Sequence, residues 1–232
     1  MCVQNSKALL MFEPIQIDNF ISHMERSALL HAHIHNPNAI QKSTGPRVSM
    51  DLRNQVLEDI IQRIKENFGE FELHNTQIFQ VKRPHVLHND WSKFDNGQGL
   101  AFLMPLIHDG LTNPKFVIYD QIVNDAAVKL FGGGPGPKNV HHNSSLLEYT
   151  TVKGTVEEPF DQQFYDEHLT HLKPNWVQGL SVRKVFDWNP GSLIVFHRCS
   201  IHSSSDFTNL GIQEKTGLSV FTRYNKCLDA QA

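Results

Sequence analysis

In the run PHVLHNDW, His88 and Asp90 stand two residues apart, and a late segment, FHRCSIHSS, carries His202. On extended chain, residues i and i+2 point to the same face. An imidazole and a carboxylate in that relation can chelate one ion from a single strand edge. A third ligand must then come from a neighbouring strand, and GSLIVFHRCSIH can supply it through His202. Two imidazoles and one carboxylate cover one face of an octahedron and leave three positions open. That donor set suits non-haem Fe(II) oxygen chemistry, whereas a structural zinc site closes its fourth position with protein ligands.

A candidate partner cation follows in EKTGLSVFTRYN. If this segment is a strand, Lys215, Gly217, Ser219 and Phe221 share a face. A buried Lys215 would need an anion, because an unpaired buried ammonium is costly; a dicarboxylate co-substrate would meet that need. The competing expectation puts Lys215 in a solvated turn beside Glu214, with Arg223 as the alternative cation.

The chain holds 14 histidines, and the other clusters offer less. His31, His33 and His35 lie in a polar, Pro-flanked stretch without a carboxylate at useful spacing, and are expected to face solvent near a loop. His141 and His142 are adjacent, so on extended chain they point apart. Glu167, His168 and His171 do not form the H-E-x-x-H pattern of a metalloprotease helix, since the Glu precedes the first His. GGGPGPK, from Gly132, lacks the G-K-[ST] ending of a phosphate-binding loop. Trp91 and Arg198 flank the proposed ligands, with wall packing and a neighbouring Asp as their expected roles. Gln77 and Gln80 are both in reach of a co-substrate, and nothing in the sequence selects between them.

These residues need elements to position them. Leu52, Val56, Ile60 and Ile64 recur at helical spacing, with Leu57 and Ile61 widening the stripe. The pattern predicts an amphipathic helix from about Leu52 to Asn67, with Ser49 as N-cap and Gly69 just past its end. Phe12 to Ile21 reads as a short strand leading into a helix. After Gly69 the texture changes: TQIFQVK, GLAFLMPLI, PKFVIYDQ, LEYTTVKGTV, LSVRKVFDW, GSLIVFHR and TGLSVFTRY are short, β-branched and aromatic, and separated by turn residues. They predict antiparallel strands of a sandwich or barrel. A second helical piece is expected around Phe160 to Leu172. The expected organisation is one domain over 1–232. It has an N-terminal helical flank (1–70) and a β core (71–226), with an insertion around 122–180 that holds the Gly-rich segment.

Composition bounds the function classes. The 232 residues carry 21 Lys+Arg against 24 Asp+Glu, a formal charge of -3. No clustered basic stripe is present, so no nucleic-acid partner is expected. No apolar stretch approaches the roughly 18 residues that span a bilayer, so no membrane partner is expected either. The N-terminal MCVQNSKALLMFEPIQ lacks the make-up of a signal peptide. Cys2, Cys199 and Cys227 are odd in number and scattered, and read as reduced thiols of a cytoplasmic compartment.

Taken in order, His88-x-Asp90, WNPGSLIVFHRCSIHSS and KTGLSVFTRY resemble the Fe(II)/2-oxoglutarate-dependent dioxygenases, in the style of the phytanoyl-CoA-dioxygenase-like and prolyl-hydroxylase-like branches. The resemblance covers roughly residues 75–225. It implies a mainly β fold, a double-stranded β-helix of the jelly-roll or cupin type with flanking helices. It further implies Fe(II) held by His88, Asp90 and His202, with Lys215 or Arg223 gripping the far carboxylate of 2-oxoglutarate, and O2 as oxidant. The implied reaction couples oxidative decarboxylation of 2-oxoglutarate to hydroxylation of a small-molecule or peptide substrate. Asp90 itself favours hydroxylation, since halogenating members lack that carboxylate. The interval from His202 to Lys215 is longer than usual for the pattern, which keeps Arg223 open as the anchor. Two other readings stay open: a cupin-like metal enzyme without oxidative chemistry, such as an isomerase or hydrolase, and a non-catalytic jelly-roll binding module.

Overall fold

The computed structural model describes residues 12–41, 47–50, 52, 54–90, 99–122, 150–151, 160–177 and 180–224. Strand β1 (Ile15–Ile17) leads to helix α1 (His23–Ile34), which starts at a capping box. The Ser22 hydroxyl accepts the Glu25 N–H, and the Glu25 carboxylate accepts the Ser22 N–H. The helix therefore takes in His31 and His33, with His35 as its C-cap, where a loop-side position is expected from the sequence. It turns His33 inward, buried and 2.7 Å from the Ser49 hydroxyl, while His31 and His35 face solvent. Ser49 is accordingly not a cap but a buried residue of β3 (Arg47–Met50), which pairs antiparallel with β2 (Ile40–Gln41). The next helix, α2 (Gln55–Phe68), is capped by Asn54, whose side chain accepts the Val56 N–H; Gly69 closes it at φ 83°. That positive φ is the backbone geometry for which glycine is suited.

The strands that follow are β4 (Glu72–Val81), β5 (Leu100–His108), β6 (Lys115–Ile122), β7 (Thr150–Thr151), β8 (Val182–Asp187), β9 (Leu193–His197), β10 (Ser200–Ser204) and β11 (Lys215–Arg223). Helix α3 (Gln162–His168) and the single turn α4 (Pro174–Val177) lie between β7 and β8. The expected helix near Phe160–Leu172 is thus α3, shorter at both ends. Only Thr150 and Thr151 of LEYTTVKGTV fall among the described residues. The Gly-rich segment, His141, His142, Trp91, Cys2 and Cys227 lie outside them.

Two antiparallel sheets result. The larger has the order β1-β9-β5-β11-β4-β3-β2; the smaller joins β10, β6 and β7, with β8 also on β6. Strand alternation sorts the apolar residues into three layers. Leu100, Phe102, Met104, Leu193, Leu218 and Val220 pack outward against Leu29 of α1 and Leu57, Ile60 and Ile64 of α2. Val117, Tyr119 and Ile201 pack outward from the smaller sheet against Leu169, Leu172 and Val177. Between the sheets lie Phe79, Leu103, Phe116, Ile118, Trp188, Ile194, Phe196 and Phe207. The β core with external helices is as expected, and the N-terminal stretch adds three strands to the larger sheet.

Candidate metal centre

The chain changes sheets between β9 and β10. His197 ends β9 in the larger sheet, the Arg198 N–H is held by the Gly99 carbonyl, and Ser200 begins β10 in the smaller one. His202 thereby points into the inter-sheet space, opposite Ile118 of β6 and against the rings of Phe116 and Phe196. The His88 segment docks on the other edge of β10. His88 and His202 exchange backbone N–H···O bonds of 3.1 and 2.9 Å, and the Ser204 N–H reaches the His85 carbonyl. Leu87 is buried toward the helices of the smaller sheet, so alternation turns His88 and Asp90 inward.

The three predicted ligands come together: one donor atom from each of His88, Asp90 and His202 lies within 4.8 Å of the others. His202 Nε2 is 3.4 Å from Asp90 Oδ2, and His88 Nε2 is 4.0 Å from Asp90 Oδ1. The Nδ1 atoms are occupied elsewhere, on the Val86 carbonyl at 2.7 Å for His88 and the Ser200 carbonyl at 3.0 Å for His202. A carbonyl can only accept, so each Nδ1 carries the proton and each Nε2 offers its lone pair inward. Burial, and next the neighbouring His88, push the pKa of His202 down to about 4. Its imidazole is neutral at neutral pH, the form a metal requires. Two imidazoles and one carboxylate with their donor atoms converged fit a divalent first-row metal with open positions.

Arg198 braces this arrangement through the backbone. Its guanidinium donates to the backbone carbonyl of Asp90 at 2.7 and 3.1 Å and to that of Thr222, and lies over the Phe221 ring. The Asp90 N–H is in turn held by the Arg198 carbonyl. The backbone of the ligand loop is clamped on both sides of Asp90.

Lys215 is a strand residue, not a turn residue. It begins β11 between Val81 of β4 and His108 of β5 and is 2% exposed. Its Nζ sits 3.9 Å from the centroid of the Trp188 ring and 5.3 Å from that of Phe207. Among the described residues no carboxylate pairs with it; Glu214, its neighbour in sequence, binds the Gln80 amide instead. Burial lowers its pKa to about 7. Trp188, missed in the sequence reading, fits here because Gly217 lacks a side chain: a Cβ there would stand 2.8 Å from the indole. Arg223 ends β11, half-buried and in register with Glu72, roughly 27 Å from Lys215 at about 3.4 Å per residue.

Pairing also separates the two glutamines. Gln77 shares the inward face of β4 with Phe79 and stands opposite Ser219, whereas Gln80 lies on the other face with Glu214. His171, which forms no H-E-x-x-H motif, still has a place near the site. It belongs to the wall near Lys215, whose charge it feels, with Nε2 3.3 Å from the His85 carbonyl.

No family model and no curated protein matches the sequence. Solved structures do match the fold. The carbocyclase SnoK, a non-heme alpha ketoglutarate dependent enzyme of nogalamycin biosynthesis, aligns over 96% of this chain and 84% of its own at 10% identity, TM-score 0.53. HygX from Streptomyces hygroscopicus aligns over 97% and 88% at 9% identity, TM-score 0.50. The epimerase SnoN aligns over 94% and 83% at 10% identity, TM-score 0.50. The chain has the double-stranded β-helix fold of these oxygenases. At such identities the likeness is one of fold, and the chemistry has to be argued from the side chains above.

Proposed function

We propose that this chain is a non-haem Fe(II) oxygenase that couples oxidative decarboxylation of 2-oxoglutarate to hydroxylation of a small-molecule or peptide substrate. His88, Asp90 and His202 are the proposed iron ligands, and Lys215 the partner of the far carboxylate of the co-substrate. The reading is carried by one juxtaposition: three converged donor atoms share the inter-sheet space with a buried ammonium that has aromatic neighbours and, among the described residues, no carboxylate beside it. A metal enzyme with monoanionic or neutral ligands would not need that cation. Two of the fold's solved members support the pairing, since HygX was solved with nickel and 2-oxoglutarate and SnoN with Fe3+ and alpha ketoglutarate.

The bound iron, with 2-oxoglutarate and O2, supplies the oxidation. The protein's part is positional. The Val86 and Ser200 carbonyls hold the two imidazoles in the tautomer that ligates, and Arg198 keeps the Asp90 backbone from swinging. Lys215, seated on Trp188 and Phe207, sets the depth at which a dicarboxylate can rest. Phe79, Phe116 and Phe196 wall the space and exclude water, which strengthens each charge interaction within it. Arg223 is the weaker anchor candidate, since it lies half-buried at the far end of the strand, opposite Glu72.

The test is succinate formation from 2-oxoglutarate with Fe(II) and ascorbate, with the His202→Ala protein alongside. The wild type is expected to form succinate even without its prime substrate, and the variant to stay at the metal-free background. Equal background in both proteins overturns the reading.

A further inference from the structure

Asp120 is a buried carboxylate that the metal centre does not use. It lies on β6, 6% exposed. Oδ2 accepts the Ser181 hydroxyl at 2.9 Å, while Oδ1 is enclosed and has no partner among the described residues. Among the described residues no basic side chain stands within ion-pair distance of it. Those on β6 and β8 are engaged elsewhere, Lys115 with Asp187, and Arg183 and Lys184 with Glu13. A carboxylate oxygen left buried and unpaired is costly, so its retention calls for a partner that arrives from outside the fold.

Strand alternation says where that partner would come from. On β6, Val117 and Tyr119 face the helices of the smaller sheet, whereas Phe116 and Ile118 face the inter-sheet space; beyond Ile118 the register against β10 shifts, and the side of Asp120 is read from its pairing with Ser181. Ser181 faces the inter-sheet space, since it sits between Leu180 and Val182, both of which pack with the helix-side cluster, and its carbonyl accepts the Asp120 N–H. The order along the strand is equally informative. Trp188, which carries the Lys215 ammonium, is bonded to the Pro114 carbonyl just before β6; His202 pairs with Ile118; Ser200 pairs with Ile122. Asp120 therefore lies past the His202 level, on the side away from Lys215, in the stretch where β6 bulges against β10.

We infer that Asp120 is a substrate-recognition residue and that the prime substrate presents a cationic group, an alkylammonium or a guanidinium, to the Asp120–Ser181 pair. The inference rests on the oxygenase reading above and assigns a substrate class to that same site. A neutral donor would satisfy Oδ1 but leave the buried negative charge uncompensated. A cation satisfies both.

The experiment uses full-length protein loaded with Mn(II) and saturated with 2-oxoglutarate. Butylguanidinium and butylammonium are titrated calorimetrically against the neutral isosteres butylurea and pentanol. The cationic probes are expected to bind the wild type about tenfold or more tightly than the neutral ones, and the preference to shrink to within about twofold in Asp120→Asn. Thermal unfolding of the unliganded proteins is the second readout. Asp120→Asn keeps the bond to Ser181 and removes the buried charge, so its midpoint is expected to rise. Equal affinity for charged and neutral probes, a preference that survives the substitution, or a lowered midpoint would each overturn the inference, the last by making Asp120 a structural partner of Ser181. Binding of Mn(II) and 2-oxoglutarate is scored separately in the same titrations. If these bind and the cationic preference is missing, this inference alone fails; if they do not bind, the oxygenase reading fails.

Discussion

Alternate residues of β11 face two different interiors. On the helix side, Leu218 and Val220 join Leu100, Phe102, Met104 and Leu193 against α1 and α2, with buried Thr216 ahead of them on that face. On the inter-sheet side, Lys215, Gly217, Ser219 and Phe221 follow one another, and three of the four are poor choices for stability alone. The ammonium is buried without an anion, the glycine leaves a gap that an indole fills, and a buried serine stands where an aliphatic residue would pack better. One strand thus holds a face that stabilises the fold and a face that stores cost for a ligand to offset, and the functional side is the one that breaks the packing rules.

The sharpest way to break this comparison is to truncate each face in turn. Leu218→Ala should destabilise the protein by about 2–5 kcal/mol, the cost of a cavity in a packed core, read by urea unfolding. The affinity of the remaining folded protein for Mn(II) and 2-oxoglutarate should be unchanged. Lys215→Met should do the reverse, raising the unliganded melting midpoint by removing an uncompensated charge. It should weaken 2-oxoglutarate about 100-fold, the order expected when one partner of a buried charge pair is deleted. Arg223→Met is the control and should shift that affinity little. If Arg223→Met is the damaging change, the anchor sits at the other end of the strand.

Gly217→Ala refines the same contrast with a smaller change. The added methyl would approach two indole carbons of Trp188 at 2.8 Å and the Phe79 ring at 2.9 Å, so the rings must shift. Overpacking of this kind costs about 1–3 kcal/mol. The displaced indole should also loosen Lys215, so co-substrate affinity should fall together with stability. A variant that loses stability but keeps its affinity would show that Trp188 is only wall.

Much of this was legible before any coordinates, for identifiable reasons. The period-two, β-branched texture marked β4, β5, β6, β8, β9 and β11, and the Val56–Ile60–Ile64 stripe marked α2. The i, i+2 spacing of His88 and Asp90 was likewise local information. What was not legible depends on pairing across the chain. Lys215 could sit in a turn until β11 was placed between β4 and β5, and Gln77 was equivalent to Gln80 until the register chose a face. A strand leading into a helix was expected from Phe12 to Ile21, but the course of α1 through His31 and His33 was hidden because the histidines interrupt the apolar pattern. Trp188 and Asp120 carry no local signature at all. Each stands out only because a strand from elsewhere sets it beside a charge or leaves it without one.

The titration of Lys215 gives the finest test, because stability and binding should respond to pH with opposite sign. Burial lowers the pKa to about 7 in the folded, unliganded protein, against about 10.4 in an unfolded chain. Between those values the unfolded state binds the extra proton, so the unliganded protein should gain stability as the pH rises from 7 towards 10 and lose that gain as it falls back through 7. A dianionic co-substrate favours the ammonium, so above pH 7 its binding must take up a proton. Its affinity should therefore weaken with rising pH, by up to about tenfold per unit. The groups near enough to contribute are His171, which feels the Lys215 charge, His108 opposite it on β5 and Glu214 beside it. His171 would already be neutral above pH 7, its pKa being lowered by burial. Calorimetry of 2-oxoglutarate binding at pH 7 and 9 in two buffers of different ionisation enthalpy would count the proton directly. Proton uptake that vanishes in Lys215→Met identifies the lysine as its source. Uptake that persists in that variant would remove the ammonium from the binding step and leave the inward face of β11 without its reason for burying a charge.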